Sequence, residues 1–236
     1  MFQTNPFTLI IVMVGLSLLP FVAMVATSYL KIVVVMSLIR NALGIQSIPP
    51  NMVLNALALI LTFYIMAPVA SESWGILSEC QKASAVQTQG AAGGASGGAS
   101  SSFDLGLSSA DLAKGAEPFR TWLSEHTSDR ERAFFVNTAE RLWAKDPDVP
   151  ANVDPESFCI LIPSFCVSEL TKAFQIGFLV YLPFIAIDIL VSNILLAMGM
   201  MMVSPVTISL PFKLLLFVMV NGWTLLVQGL IRGYVI

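Results

Sequence analysis

The sequence predicts an all-α fold, a multi-span membrane protein of long, proline-broken helical hairpins with a small helical extracytoplasmic insert. Apolar residues make up 56% of the 236 residues and charged residues only 11%, which places the chain far outside the soluble range. Nearly all of the charge lies in one segment, residues 71–157. Four apolar runs are each long enough to cross about 30 Å of hydrocarbon as a helix. These runs are residues 7–30, 52–70, 175–203 and 210–230.

The runs divide the chain into two hairpins. Residues 1–70 hold the first two spans and residues 158–236 the other two, together with a methionine-rich loop. The first run has neither a basic start nor a small-residue cleavage site, so we expect a retained helix rather than a signal peptide. Prolines are expected to interrupt or end these apolar helices, which then need neighbours for the freed carbonyls. They are Pro20, Pro68, Pro163, Pro183, Pro205 and Pro211.

The insert at residues 71–157 is net acidic, with thirteen carboxylates against seven cations. Nucleic acid is therefore excluded as a partner, because a phosphate-binding surface needs clustered Lys and Arg. A Gly/Ser tract within residues 84–104 predicts disorder. Beyond it, Pro118 and the capping spacing of Ser128 and Glu131 predict two short helices, the second with one apolar face. That face holds Phe135, Ala139 and Leu142.

The short loops predict the orientation in the membrane. Lys31 and Arg40 flank the link between the first two spans, and Lys213 follows the link between the last two. Both links are then cytoplasmic, and the N-terminus, the insert and the C-terminus lie on the periplasmic side. Arg232 is the one cation that argues the other way.

Two charges fall inside the predicted spans, Asp188 and Lys213. A charge near mid-span costs at least a few kcal/mol, so each needs a partner or water. Counted from Pro205, the two residues sit at different depths of a hairpin, and we expect contacts to other subunits or to water in a lumen rather than a direct pair. Glu169 and Lys172 have the spacing of a pair on one helical face, which we expect to be solvated at the membrane surface.

The methionines at 198, 200, 201 and 202 lie just before Pro205, between two apolar stretches. Thioether side chains are flexible and adapt to varied surfaces. The cluster therefore fits a soft seal as well as it fits lipid-facing or packing methionines, and composition does not separate these alternatives.

No pattern in the chain predicts catalysis. No nucleophile with a base, no phosphate-binding glycine loop and no metal-ligand spacing occurs, so we expect no catalytic residue, no metal and no cofactor. Cys159 and Cys166 are expected to be buried thiols, and Cys80 an extracytoplasmic one. The single histidine, His126, is expected on the surface of the insert.

Several strings occur together in an order that resembles one family. They are LIRNALG at residues 38–44, PPNMVL at 49–54, SEL at 168–170, AFQIGF at 173–178, MGMMM at 198–202 and PFKL at 211–214. The chain resembles the SctR/FliP family of type III secretion over nearly its whole length, apart from roughly residues 71–105. Its Gly/Ser tract and its lack of a signal peptide make it more similar to injectisome members of the YscR type than to flagellar FliP.

The resemblance implies a non-enzymatic subunit of the export gate in the bacterial inner membrane, among membrane lipids. Five such chains would join SctS/FliQ-like and SctT/FliR-like subunits, with an SctU/FlhB-like switch subunit, around a pore that passes unfolded proteins. Apolar runs would then be buried against neighbouring chains. By motif position, Met200, Met201 and Met202, with Met198, would form the gasket that closes the pore, and the interface charges would be Asp188, Lys213, Glu169, Lys172, Lys31 and Arg40.

Two other functions compete with this one. A small-solute transporter or ion channel predicts matched internal repeats and a midplane site, and the sequence has no visible repeat. A membrane anchor for a signalling domain predicts an insert large enough to fold alone, whereas this insert is short and glycine-rich.

Overall fold

The computed structural model describes residues 6–45, 48–90, 109–143, 153–200 and 202–235. The regular elements in these ranges are all helices, as the sequence predicts. They are α1 (Pro6–Val25), α2 (Tyr29–Ala42), α3 (Asn51–Gly90), α4 (Ser109–Gly115), α5 (Glu117–His126), α6 (Asp129–Trp143), α7 (Phe158–Ala197), α8 (Pro205–Met219) and α9 (Gly222–Arg232).

Two helices are long and apolar enough to cross a membrane on their own, Asn51–Lys82 within α3 and Phe158–Ala197. The bent pairs α1 with α2 and α8 with α9 bring the total to four if each pair is one span. Helices α3 and α7 have 40 residues each. At 1.5 Å per residue each is about 60 Å long, roughly twice the hydrocarbon thickness.

The expectation that prolines break the helices is wrong at five positions. Pro20, Pro68, Pro163, Pro183 and Pro211 all lie inside helices, and only Pro205 stands at a helix start. A long apolar helix tolerates the lost bond when its neighbours compensate. The breaks in the two bent pairs occur instead at residues 26–28 and at Asn221, whose φ is 52°.

One compact unit comprises Thr27–Ile65 and Cys166–Ile236. Its core is organised around α2, whose buried residues Ile32, Val35, Met36 and Ile39 repeat at helical spacing. Leu54 and Ala58 of α3, Ala173 and Phe184 of α7, Phe217 of α8 and Leu230 of α9 complete this core. Helices α2 and α7 approach closely, because a Cβ at Gly177 would lie 2.3 Å from Leu38 Cδ1.

The other unit comprises Met1–Ala26 and Met66–Phe165. Helices α5 and α6 begin where Pro118 and the Ser128 to Glu131 spacing predict them. Trp122 packs against Phe165, with ring centroids 5.1 Å apart, and stacks on His126 at 4.7 Å. The insert therefore buries more apolar surface than its composition suggested.

Two expectations, those for the histidine and for the two cysteines, are wrong. His126 is buried, and its Nδ1 lies 2.9 Å from the carbonyl of Trp122. Cys159 is exposed and Cys166 half-buried. On the apolar face of α6, Ala139 is buried and Leu142 is exposed, so part of this face is left for a partner.

Helix α3 also runs without interruption across residue 71 as far as Gly90. The first part of the predicted tract at residues 84–104, as far as Gly90, is therefore helical, and residues 91–104 lie outside the described ranges.

Candidate functional site

The methionine-rich segment forms a turn at the end of α7. The amide of Met200 donates to the carbonyl of Leu195 and the amide of Gly199 to that of Leu196, both at 3.0 Å. With Gly199 at φ 73°, these two bonds form a Schellman motif, which ends a helix and satisfies its last carbonyls. We call residues 198–204 the methionine turn.

The described thioethers of this turn are exposed. Met198 and Met200 are 58% and 49% exposed, and Met202 is fully exposed, while Met201 lies outside the described residues. Helix α8 begins directly after the turn, at Pro205. Flexible apolar side chains thus stand at the tip of a hairpin of two apolar helices, free to meet another surface.

Asp188 and Lys213 form a direct ion pair within the chain, which corrects the expectation that they contact other subunits or lumen water instead. Lys213 Nζ lies 2.6 Å from Asp188 Oδ2 and donates to the carbonyl of Ala42 at 3.2 Å. Ser209 donates its hydroxyl to Asp188 Oδ1 at 2.6 Å. We call these residues the Asp188 cluster; it joins α7, α8 and the last residue of α2.

The two charges lie at nearly equal depth because the turn separates the ends of the two helices. Helix α7 ends at Ala197, nine residues after Asp188, and α8 begins at Pro205, eight residues before Lys213. The turn between the helices belongs to neither arm, so both charges lie about 12–14 Å from it. At equal depth, pairing is the arrangement that avoids an unpartnered charge.

Glu169 is the centre of a second cluster and is fully buried. Its carboxylate lies 3.0 Å from Lys172 Nζ, as the i,i+3 spacing predicts, and 3.0 Å from Lys31 Nζ of α2. Tyr234, after α9, donates its hydroxyl to the same carboxylate, and Lys31 Nζ stands 3.5 Å from the centre of the Tyr234 ring. We call these residues the Glu169 cluster. The expected solvated pair is therefore wrong for Glu169, although Lys172 itself is 40% exposed.

Tyr234 keeps its proton in this setting. Burial, and then the neighbouring carboxylate of Glu169, raise the pKa of the Tyr234 phenol above its usual range. A protonated phenol is the donor that a buried carboxylate requires.

The remaining predicted charges take different roles. Arg40 is hydrogen-bonded to the side chain of Asn51, at the start of α3. Lys31 and Lys213 are buried in ion pairs, so neither is a free loop cation, and the orientation inferred from them now depends on Arg40.

Sequence reasoning missed Tyr234, Ser209 and the carbonyl of Ala42. One signal was available: Glu169 and Asp188 are the only carboxylates outside the insert. Since an unpaired carboxylate is costly in an apolar surrounding, both had to be matched by cations of the same part of the chain. The identity of the hydroxyl donors had no comparable signal.

The described residues contain no group of three or more His, Cys, Asp and Glu side chains that could hold a metal ion. What they offer is an apolar turn with exposed methionines and two charge clusters whose carboxylates are each paired with lysine. This arrangement defines a helical membrane protein whose apolar helices are joined by ion pairs and hydrogen bonds.

Comparisons with known proteins identify the family. The model of the FliP family matches residues 12–230. The chain is 48% identical to the Yop proteins translocation protein R of Yersinia pestis, over 96% of this chain and 95% of the relative. It is 44% identical to the hypersensitivity response secretion protein HrcR of Ralstonia nicotianae, over 96% of each chain. It is also 44% identical to the virulence protein YscR of Salmonella typhimurium, over 98% and 97%.

The chain belongs to the FliP family, and its similarity to YscR and HrcR proteins places it with the injectisome members rather than the flagellar ones. Members of this family are structural components of the type III secretion apparatus and not enzymes, as the sequence predicts.

Proposed function

We propose that this protein is a pore-forming subunit of the type III secretion export gate and passes unfolded proteins across the bacterial inner membrane. Met198, Met200, Met201 and Met202 form the gasket that closes the pore when several copies meet. The observation that carries this proposal is the exposure of the described thioethers, those of Met198, Met200 and Met202, at a hairpin tip.

Such a gasket has two demands to meet. Closed, it must exclude ions; open, it must yield to a passing chain of any sequence. Thioether side chains pack as an apolar plug yet change rotamer easily, whereas β-branched residues are stiff. The names of the relatives, which refer to translocation and secretion, support a role in protein passage.

The uncovered apolar surface of the last helices supports assembly with other chains. On α7, Phe178 and Leu190 are well exposed, and so are Leu215 and Val218 on α8. Apolar patches of this extent mark contacts with lipid or with other chains. We propose that five copies join SctS/FliQ-like and SctT/FliR-like subunits, with an SctU/FlhB-like subunit nearby. Native mass spectrometry of the detergent-extracted complex tests this, since a small-solute transporter requires neither five copies nor those partners.

The orientation is also proposed, with Arg40 in a cytoplasmic link and the N-terminus, the insert and the C-terminus in the periplasm. Reporters fused at residues 44–48 should signal the cytoplasm, and reporters fused at 90–102 should be active only outside it. A cytoplasmic signal from the second set would reverse the topology.

The gate itself is tested by truncation. With Met200, Met201 and Met202 all changed to Ala, the closed complex should conduct ions several-fold better in a planar bilayer. Export of substrates should persist at least in part, because alanine leaves a gap without obstructing the passage.

The matched control changes Met13, Met52 and Met219, exposed methionines outside the turn, to Ala in the same complex. It removes the same side chains and should leave the closed conductance unchanged. Wild-type conductance from the variant of the turn would show that the seal lies elsewhere.

A further inference from the structure

The described thioethers of the methionine turn are mostly exposed, so they make few contacts that could fix the position of the turn. Contacts between the flanking helices must fix it instead. The side-chain hydrogen bonds and the ion pair of the Asp188 cluster join α7 to α8. One carboxylate receives Ser209 on one oxygen and Lys213 on the other, each at 2.6 Å. Since these two donors are four residues apart on the same face of α8, they fix both the rotation and the axial position of that helix.

The end of α2 and the residues just after it meet α8 at two positions, Lys213 and Val206. Lys213 donates to the carbonyl of Ala42, one of the last carbonyls of α2, which lack partners within a helix. A cation at this place is also favoured by the helix dipole. Closer to the turn, Gly44 stands beside Val206 in the first turn of α8, because a Cβ added to Gly44 would lie 3.8 Å from Val206 Cγ1.

The backbone conformation at residue 44 explains why a glycine occupies this position. Its φ is 78°, a left-handed conformation that glycine adopts freely and other residues rarely do. Its amide donates to the carbonyl of Asn41, so the chain turns sharply as α2 ends and passes beside Val206.

We propose that Ser209, Gly44 and the end of α2 at Ala42 are positioning residues of the gate: they hold α8, and with it the methionine turn, in the place where the thioethers seal. This inference rests on the proposed role of the methionines. It adds that the seal is set by the link between α2 and α3 as well as by the thioethers.

The test compares closed-state conductance in the assembled complex for two variants. Ser209→Ala removes one of the two donors to Asp188 and leaves the ion pair with Lys213. Gly44→Ala places a side chain at a left-handed position. Each should raise closed conductance several-fold, while the yield of complex after Ser209→Ala stays at the wild-type level. Gly44→Asn should restore a tight seal, since asparagine tolerates this conformation.

The control is Ser164→Ala. Ser164 lies twenty-four residues before Asp188 and is as buried as Ser209. Both hydroxyls are placed to donate to carbonyls of their own helix, but Ser209 also donates to the Asp188 carboxylate. This change should not alter conductance, which separates positioning of the gate from general loss of a buried hydroxyl.

The outcomes distinguish this inference from the proposed function. If the triple methionine variant leaks while Ser209→Ala and Gly44→Ala seal normally, the gasket stands and the positioning role is wrong. If the triple methionine variant seals normally, the gasket is wrong, and leakage from Ser209→Ala could no longer be assigned to the thioethers. Should Gly44→Ala fail to assemble, Ser209→Ala alone decides the result.

Discussion

The Glu169 and Asp188 clusters are built alike and differ in their access to water. Each joins a carboxylate of α7 to α2 and to the C-terminal part of the chain, through a lysine and a hydroxyl. Glu169 is fully buried, whereas the side chain of Asp188 is 33% exposed. Water can therefore replace a lost partner at Asp188 but not at Glu169.

The two clusters also lie at different distances from the methionine turn. Asp188 is nine residues before the end of α7 and Glu169 twenty-eight, which corresponds to about 14 Å and about 42 Å along the helix. The more hydrated cluster is the one next to the proposed gate. In the proposed gate, the methionine turn is thus next to the cluster with the more exposed carboxylate, and the closed cluster holds the distant end of the helix.

The largest loss of stability is expected from Glu169→Ala. It leaves Lys31 buried without its carboxylate, and breaking a buried pair in this way costs about 3–5 kcal/mol. The melting temperature of the detergent-purified chain should fall sharply. Replacing both charges by apolar residues, as Glu169→Leu with Lys31→Met, should recover much of the loss, because no buried charge is then left alone.

The matched control is Glu117→Ala in the insert. Glu117 also pairs with a cation three residues away, Arg120 at 3.3 Å, but its side chain is 55% exposed. Its loss should cost at most about 1 kcal/mol. Equal melting temperatures for Glu169→Ala and Glu117→Ala would contradict the assignment of Glu169 to a closed, dry site.

Smaller losses of stability are expected from the Asp188 cluster. The loss should differ between removing the carboxylate of Asp188 and removing the amine of Lys213. Asp188→Leu leaves Lys213, which is 3% exposed, with only a neutral carbonyl as the partner described above, at a cost of about 2–3 kcal/mol. Lys213→Met leaves a carboxylate that meets water and still accepts from Ser209, so we expect a cost about 1 kcal/mol lower. Equal shifts in melting temperature for Asp188→Leu and Lys213→Met would mean that the carboxylate of Asp188 is as inaccessible to water as that of Glu169.

Much of the fold could be predicted from local sequence. Composition and the length of the apolar runs gave the class, and the short-range pattern of Glu169 and Lys172 gave a pair that is present at 3.0 Å. Pro118 and Ser128 marked the starts of α5 and α6. Each of these signals acts within one or two helical turns.

What could not be predicted joins residues far apart in the chain. Lys31 and Glu169 are separated by 138 positions, and Lys213 and Ala42 by 171, so their contacts depend on how α2 packs between later helices. His126 was placed at the surface because its insert is polar, yet Trp122 shields it from solvent. Local pattern gives the elements, and the desolvation cost of each charge then limits how they can be combined.

The smallest effect among the cluster residues is expected from Lys172→Ala, and it sharpens the contrast between the two clusters. Lys172 contacts the same carboxylate as Lys31, but its side chain is 40% exposed against 3% for Lys31. An exposed cation contributes little, because water solvates it nearly as well as the carboxylate does. Glu169 also keeps Lys31 and Tyr234 after the change. The expected loss is about 0.3–1 kcal/mol, measured as a shift in melting temperature that shrinks further at high salt. A loss as large as that of Glu169→Ala would show that the carboxylate depends on its solvated partner more than on its buried ones.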